Sequence, residues 1–226
     1  MRRDEAGKSL VDHFYPVEAN VEQIRAGTVK ECGDFVLGGY QSVVHSTESG
    51  QVQANLTRKG SVEGVPLHIT KKITLAAGEN ALLVEYLLEN LPPNRAFHFA
   101  VEWNFSGMPA GAEDRYFYDV SQQPLGELGR QLDLRETTGV GLVDRWLGLD
   151  VGLSCNRPTN FWTFPIATVS QSEGGFEAVH QSVVVMPHWL IESDPQGKWG
   201  VTMRLSLQST NQQIEQQANP TAAAIQ

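Results

Sequence analysis

The chain has 226 residues, a formal net charge of −9, and is 41% hydrophobic and 19% charged. A chain of this length hides roughly 70% of its unfolded surface on folding, and this composition is globular. The acidic balance excludes the basic footprint that nucleic-acid binding needs and argues against anionic lipid, while neutral partners remain compatible.

Residues 1–12 are polar and read as a frayed or externally docked end. In residues 16–26, Val17, Val21 and Ile24 recur at helical spacing, which predicts one short helix stopping near Gly27. The period then changes to two. Alternating runs predict strands over 34–44, with Gly38-Gly39 as a break, and over 50–58, 66–75 and 79–91. In the last of these, Leu82, Val84, Tyr86 and Leu88 share one face. Over 96–105, Phe97, Phe99, Val101, Trp103 and Phe105 point one way, and His98, Ala100, Glu102 and Asn104 the other.

Further strands are predicted at 115–120, 128–136, 139–155, 160–169, 176–191 and 198–208, the last with Trp199, Val201, Met203, Leu205 and Leu207 in strict alternation. This makes about ten or eleven strands with turn signals between them and no α/β alternation. The expected fold is all-β, a large antiparallel sandwich of two sheets with one short N-terminal helix. The expected organisation is a single β-sandwich domain over 1–208 and a Gln/Asn/Ala-rich, disordered tail over 209–226.

Cys32 and Cys155 lie in no Cys-x-x-Cys pair and beside no histidine cluster, so neither a metal site nor a disulfide framework is expected. No nucleotide-binding glycine loop, metalloprotease helix motif or nucleophile elbow occurs, and no cofactor is expected. No apolar stretch is long enough to span a membrane, and Met1–Asp12 lacks a secretory signal's apolar run, so the expected location is cytoplasmic.

Residues of catalytic type are present but scattered. His98 and Glu102, four apart on one strand, stand about 13 Å apart and need partners from another strand. Glu173 and Glu177 flank a Gly-Gly turn, with His180 and His188 beyond it. Paired carboxylates serve glycoside chemistry, although acids beside a turn read more plainly as a solvated face. Trp146 and Trp162 lie beside polar residues and are candidate stacking platforms for sugar rings; Trp199 reads as core.

Five strings taken together resemble one family: SLVDHF (9–14), GDFVLGGY (33–40), FAVEWNF (99–105), RWLGLDVGL (145–153) and FPIATVSQSEGGFEAVHQSVVVMPHW (164–189). Their order and spacing resemble the C-terminal β-sandwich domain of family-57 4-α-glucanotransferases and α-amylases, over about residues 9–208. The resemblance implies a galactose-mutarotase-like super-sandwich packed on a catalytic (β/α)₇ barrel that supplies the nucleophile and the acid/base. It carries over no catalytic residue.

The expectation is therefore a non-catalytic module of an α-glucan-active enzyme, with a catalytic barrel and α-glucan as partners. The alternatives are a stand-alone carbohydrate-binding module and a sugar epimerase- or lyase-like enzyme. The carbohydrate-binding candidates are Trp146, Trp162, Trp189, Glu102, Asn104, Glu173, Glu177 and His180.

Overall fold

The computed structural model describes residues 8–46, 50–106, 108, 111–172 and 175–210, with the backbone alone at 170, 172, 175 and 177. The expected tail beyond residue 210 lies outside the described residues. The chain opens with strand β1 (Val11–Tyr15) and helix α1 (Val21–Ala26). Strands β2 (Gln41–Ser46), β3 (Gln51–Val62), β4 (Val65–Ala76), β5 (Ala81–Glu89) and β6 (Phe97–Ser106) follow. The short strands β7 (Arg115–Tyr118) and β8 (Pro124–Glu127) come next. The long strands β9 (Leu132–Asp144), β10 (Leu149–Ser172), β11 (Gly175–Ile191) and β12 (Lys198–Ser209) complete the order.

These strands form one antiparallel hydrogen-bonded network in the order β1-β6-β11-β10-β12-β5-β4-β3-β2, with β7, β8 and β9 attached beside β10. The network is folded on itself into two layers. Tyr86 on β5 and Phe99 on β6 are four strand positions apart, about 19 Å in a flat sheet, yet their ring centroids are 5.7 Å apart. The corner is strand β10. Up to Cys155 it pairs with β12; from Asn160 onward it pairs with β11. Pro158, which has no N–H to give a ladder, sits where the partner changes. The two expected sheets are thus two layers of one network joined through this strand.

The layers enclose one core. Phe97, Phe99, Val101 and Trp103 of β6 meet Val84, Tyr86 and Leu88 of β5 and Trp199, Val201 and Met203 of β12, which are the faces that alternation predicted. A second, smaller cluster lies on the outer face of the β6–β11–β10 layer. Ala100, Val184, Met186, Trp162, Phe164 and Ile166 are covered there by Tyr15 and by Val21 and Ile24 of α1. Helix α1 has only six residues and depends on this packing. Its start is fixed by a capping box: Gln23 N–H donates to Asn20 Oδ1 at 3.0 Å, and Asn20 N–H donates to Gln23 Oε1 at 3.3 Å. Gly27, at φ 66°, ends it in the left-handed conformation that favours glycine.

Several elements differ from expectation. Strand β1 falls partly in the segment read as frayed; its partner is β6, with Phe14 opposite Phe99. Of the strand expected over 34–44, residues 34–40 are not strand, and β2 begins only at Gln41. The runs 139–155 and 160–169 regroup: a turn over 145–148 separates β9 from β10, and β10 continues through both predicted segments for 24 residues. The apolar residues Trp146, Leu147 and Leu149 mask that turn in the sequence, and Gly148 makes it at φ 69°.

One buried polar contact spans the sandwich. Asp12 on β1 and Lys71 on β4 are 1% and 5% exposed. They stand six strand positions apart, about 29 Å in a flat sheet, and their charged atoms meet at 2.7 Å. Tyr86 donates to Asp12 Oδ1 at 2.8 Å and Tyr40 donates to Oδ2. Lys71 also donates to the Leu10 carbonyl at 2.7 Å. Removing one partner strands the other charge in a dry site, which costs about 3–5 kcal/mol. Asp12→Ala is therefore expected to lower unfolding stability by that amount in urea titration; a loss below about 1 kcal/mol would show that the contact does not hold the layers.

Candidate functional site

The outer face of β1, β6 and β11 gathers most of the polar residues singled out in the sequence. Alternation puts His13 on that face of β1, and Glu102 and Asn104 on that face of β6; register sets His13 opposite Ala100, two residues from Glu102. His13 Nδ1 lies 3.0 Å from Glu31 Oε2. His13 Nε2 lies 3.2 Å from Glu102 Oε2, close enough for charge attraction but without the alignment of a good hydrogen bond. Glu31 Oε1 accepts the Phe14 N–H at 2.5 Å. Asn104 Nδ2 donates to Glu102 Oε1 at 2.7 Å, and Asn104 Oδ1 accepts from Ser182 Oγ at 3.2 Å.

Burial alone would lower the His13 pKa, but contact with Glu102 and Glu31 and their negative charge outweigh it and raise it to about 9. At neutral pH the ring therefore keeps its proton between two carboxylates, which suits a fixed clamp better than proton transfer.

His98 and His188 form a second cluster beside it. His98 Nδ1 lies 3.1 Å from the Pro16 carbonyl, which only accepts, so Nδ1 carries the proton. His98 Nε2 then accepts from His188 Nδ1–H at 2.9 Å. This leaves His188 Nε2 buried and without a hydrogen-bond partner among the described residues, its ring stacked on Trp162 with centroids 3.7 Å apart. Burial, then the neighbouring His98 and Arg135, push the His188 pKa down to about 2; burial also lowers that of His98. Both rings are neutral, packed groups. α1 and Tyr15 cover this part of the strand face.

The tryptophan candidates separate sharply. Trp162 is 2% exposed beneath α1, and Trp189 is 6% exposed in the main core, where its Nε1–H donates to Thr159 Oγ1 at 2.9 Å. Neither presents a ring face to solvent, because partners distant in sequence close over both. Trp146 is 73% exposed on the β9–β10 turn. His180 Nε2 donates to the Met108 carbonyl at 3.0 Å, apart from the Glu102 cluster. Glu173 lies outside the described residues, as does the Glu177 side chain. His13 and Glu31 escaped the sequence reading, because only long-range pairing brings them to Glu102. Among the described residues no group of three acids, histidines and cysteines is placed to hold a metal, and no helix is long and apolar enough to cross a membrane.

The two histidine clusters give opposite pH dependences. The His13 pKa is raised from 6.5 to about 9 on folding, so its contribution is full below pH 6.5 and is lost as pH rises through 9. The His188 pKa is depressed, so its contribution is full above pH 6.5 and is lost as pH falls. In urea unfolding at a series of pH values, the His13 contribution is expected to fall by on the order of 3 kcal/mol at most across the alkaline window. His13→Gln is expected to be less stable at pH 6 and flat through that window; an alkaline decline matching the parent chain would contradict the clamp.

Residues 4–203 match the family "Alpha-amylase/4-alpha-glucanotransferase, C-terminal". A 4-alpha-glucanotransferase of Thermococcus kodakarensis is 28% identical over 174 residues, covering 77% of this chain and 22% of that protein. An alpha-amylase of Pyrococcus abyssi is 25% identical over the same shares of each chain. The crystal structure of the Thermococcus litoralis 4-alpha-glucanotransferase superposes with a TM-score of 0.62 at 25% identity, covering 88% of this chain and 27% of that one. A putative aldose 1-epimerase of Escherichia coli K12 superposes at 0.55 with 15% identity, over 86% of this chain and 76% of that one, a likeness of fold alone. This chain therefore spans about a quarter of the length of the glucan enzymes it matches, and it belongs to the C-terminal domain family of α-amylases and 4-α-glucanotransferases.

Proposed function

We propose that this chain is the non-catalytic C-terminal module of an α-glucan-active enzyme, and that it docks on a catalytic (β/α)₇ barrel through an uncovered end of its own core face. One observation carries the docking. Register places Val52, Leu75, Leu82, Leu205 and Leu153 in one row across β3, β4, β5, β12 and β10, all on the core-facing side. Leu153 is 1% exposed, Leu82 and Leu205 are partly buried, and Leu75 and Val52 are 49% and 44% exposed. Val44 on the edge strand and Leu207 on β12 extend the same face at 63% and 49%. The face that elsewhere forms the core thus runs out from beneath its cover, and such a surface marks a partner.

The reading assigns chemistry to the barrel and support to this module. It agrees with the engagement of His13, Glu31, Glu102, His98 and His188 in local packing and ion pairs. The expected test is association with a separately produced catalytic region, followed by calorimetry. Val52→Glu and Leu75→Glu together should weaken association more than about tenfold, since each buries a charge in an apolar contact. The variant's own unfolding transition should move little, because both sites are exposed in the isolated chain. Unchanged association would refute docking through this face.

A further inference from the structure

We infer that Trp146 is the platform of a carbohydrate-binding site for neutral α-glucan. The inference rests on the proposed α-glucan context for its choice of sugar; the platform itself rests on geometry.

Among the five tryptophans, Trp103, Trp162, Trp189 and Trp199 are each at most 9% exposed, and Trp146 is 73% exposed. Its exposure is built into the turn. Leu147 N–H donates to Asp144 Oδ1 at 2.9 Å, Arg145 N–H donates to the Asp114 carbonyl at 3.0 Å, and Thr210 N–H donates to the Gly148 carbonyl at 3.0 Å. The turn is thereby tied to β7's approach on one side and to the end of β12 on the other, and the indole is held out from the surface.

Arg115 organises one side of the ring. Its Nε donates to Asp144 Oδ2 at 3.1 Å, where Asp144 is fully buried. Its guanidinium carbon lies 5.6 Å from the Trp146 ring. A cation over one face orients the indole and leaves the remaining surface to solvent. On the opposite face of β7, Arg145 lies 5.5 Å over the Tyr116 ring and donates to the Tyr116 hydroxyl at 3.2 Å.

The chemistry that fits is a pyranose. One face of the sugar is a sheet of C–H groups that packs on an indole, and its rim of hydroxyls needs donors and acceptors nearby. The Arg115 guanidinium over the ring and the exposed carboxylate of Asp114, 4.0 Å from Arg115 Nε, supply both. A single raised platform suits a curved chain that offers one ring at a time, as an α-1,4-linked glucan does. Because that ligand is uncharged, its binding should be insensitive to added salt.

The test titrates the full chain with maltoheptaose by calorimetry and by tryptophan emission. Trp146 is the one strongly exposed tryptophan, so binding should shift the emission to the blue and protect it from iodide. Trp146→Ala should bind at least about tenfold more weakly with an unchanged unfolding transition, and Trp146→Phe should keep most of the affinity. Undiminished binding by Trp146→Ala, no binding by the parent chain, or equal affinity for cellohexaose would each overturn the inference. None of these results touches association with the catalytic region, which is read on Val52 and Leu75, so failure of the platform is distinguishable from failure of the module reading.

Discussion

The register of this fold depends on the ion pair between Asp12 on β1, at one end of the strand order, and Lys71 on β4, six positions along it. A buried pair gains little net stability over an apolar contact, since taking two charges out of water offsets most of their attraction. Its value is in position. Asp12 has three donors, Lys71, Tyr86 and Tyr40, and these come from β4, β5 and the segment before β2. A slip of β1 by one residue would turn Asp12 outward and leave Lys71 buried alone. The contact therefore fixes the register of β1, and with it the placement of Phe14 in the core and of His13 and Tyr15 on the outer face.

From that register follows an asymmetry between the layers. The β1–β6–β11 layer is buried on both faces, the inner by the core and much of the outer by α1. Its histidines and acids are consumed in holding that cover: His13 between two carboxylates, His98 and His188 bonded to each other against Trp162. The opposite layer has no helix, and its core face extends past its cover toward β2. One half of the molecule is closed by its own chain, and the other keeps part of its core face exposed. This arrangement suits a module within a larger enzyme, as membership of a C-terminal domain family implies.

The parts legible in the sequence were those where a local pattern decides the outcome. The alternation of β5, β6 and β12 named their inner faces, because burial on one side alone leaves a period of two. Helix α1 declared itself through Val21, Ile24 and Gly27. Strand β1 did not, because the polar run over residues 1–12 reads as a frayed or externally docked end and its partners lie far along the chain. Strand β10 appeared as fragments, because its two halves pair with different strands and the turn before it is apolar. The same limit applies to the sites. Trp146 and Trp162 both lie beside polar residues in the sequence, and only the folding of the sheet buries Trp162; Trp146, in a turn that projects from the hairpin, stays exposed. Neighbours in sequence reported exposure correctly only where no distant strand intervenes.

We propose that this chain supports α-glucan chemistry without performing it. The most direct measurement follows maltoheptaose and α-glucose by NMR in the presence of the purified chain, reading glucan chain length and anomer exchange in the same spectra. The account predicts that both proceed at the rate seen in buffer alone. Acceleration of either, abolished by substitution at Glu102 or His13, would place an active centre in the cluster described here as structural and contradict the account.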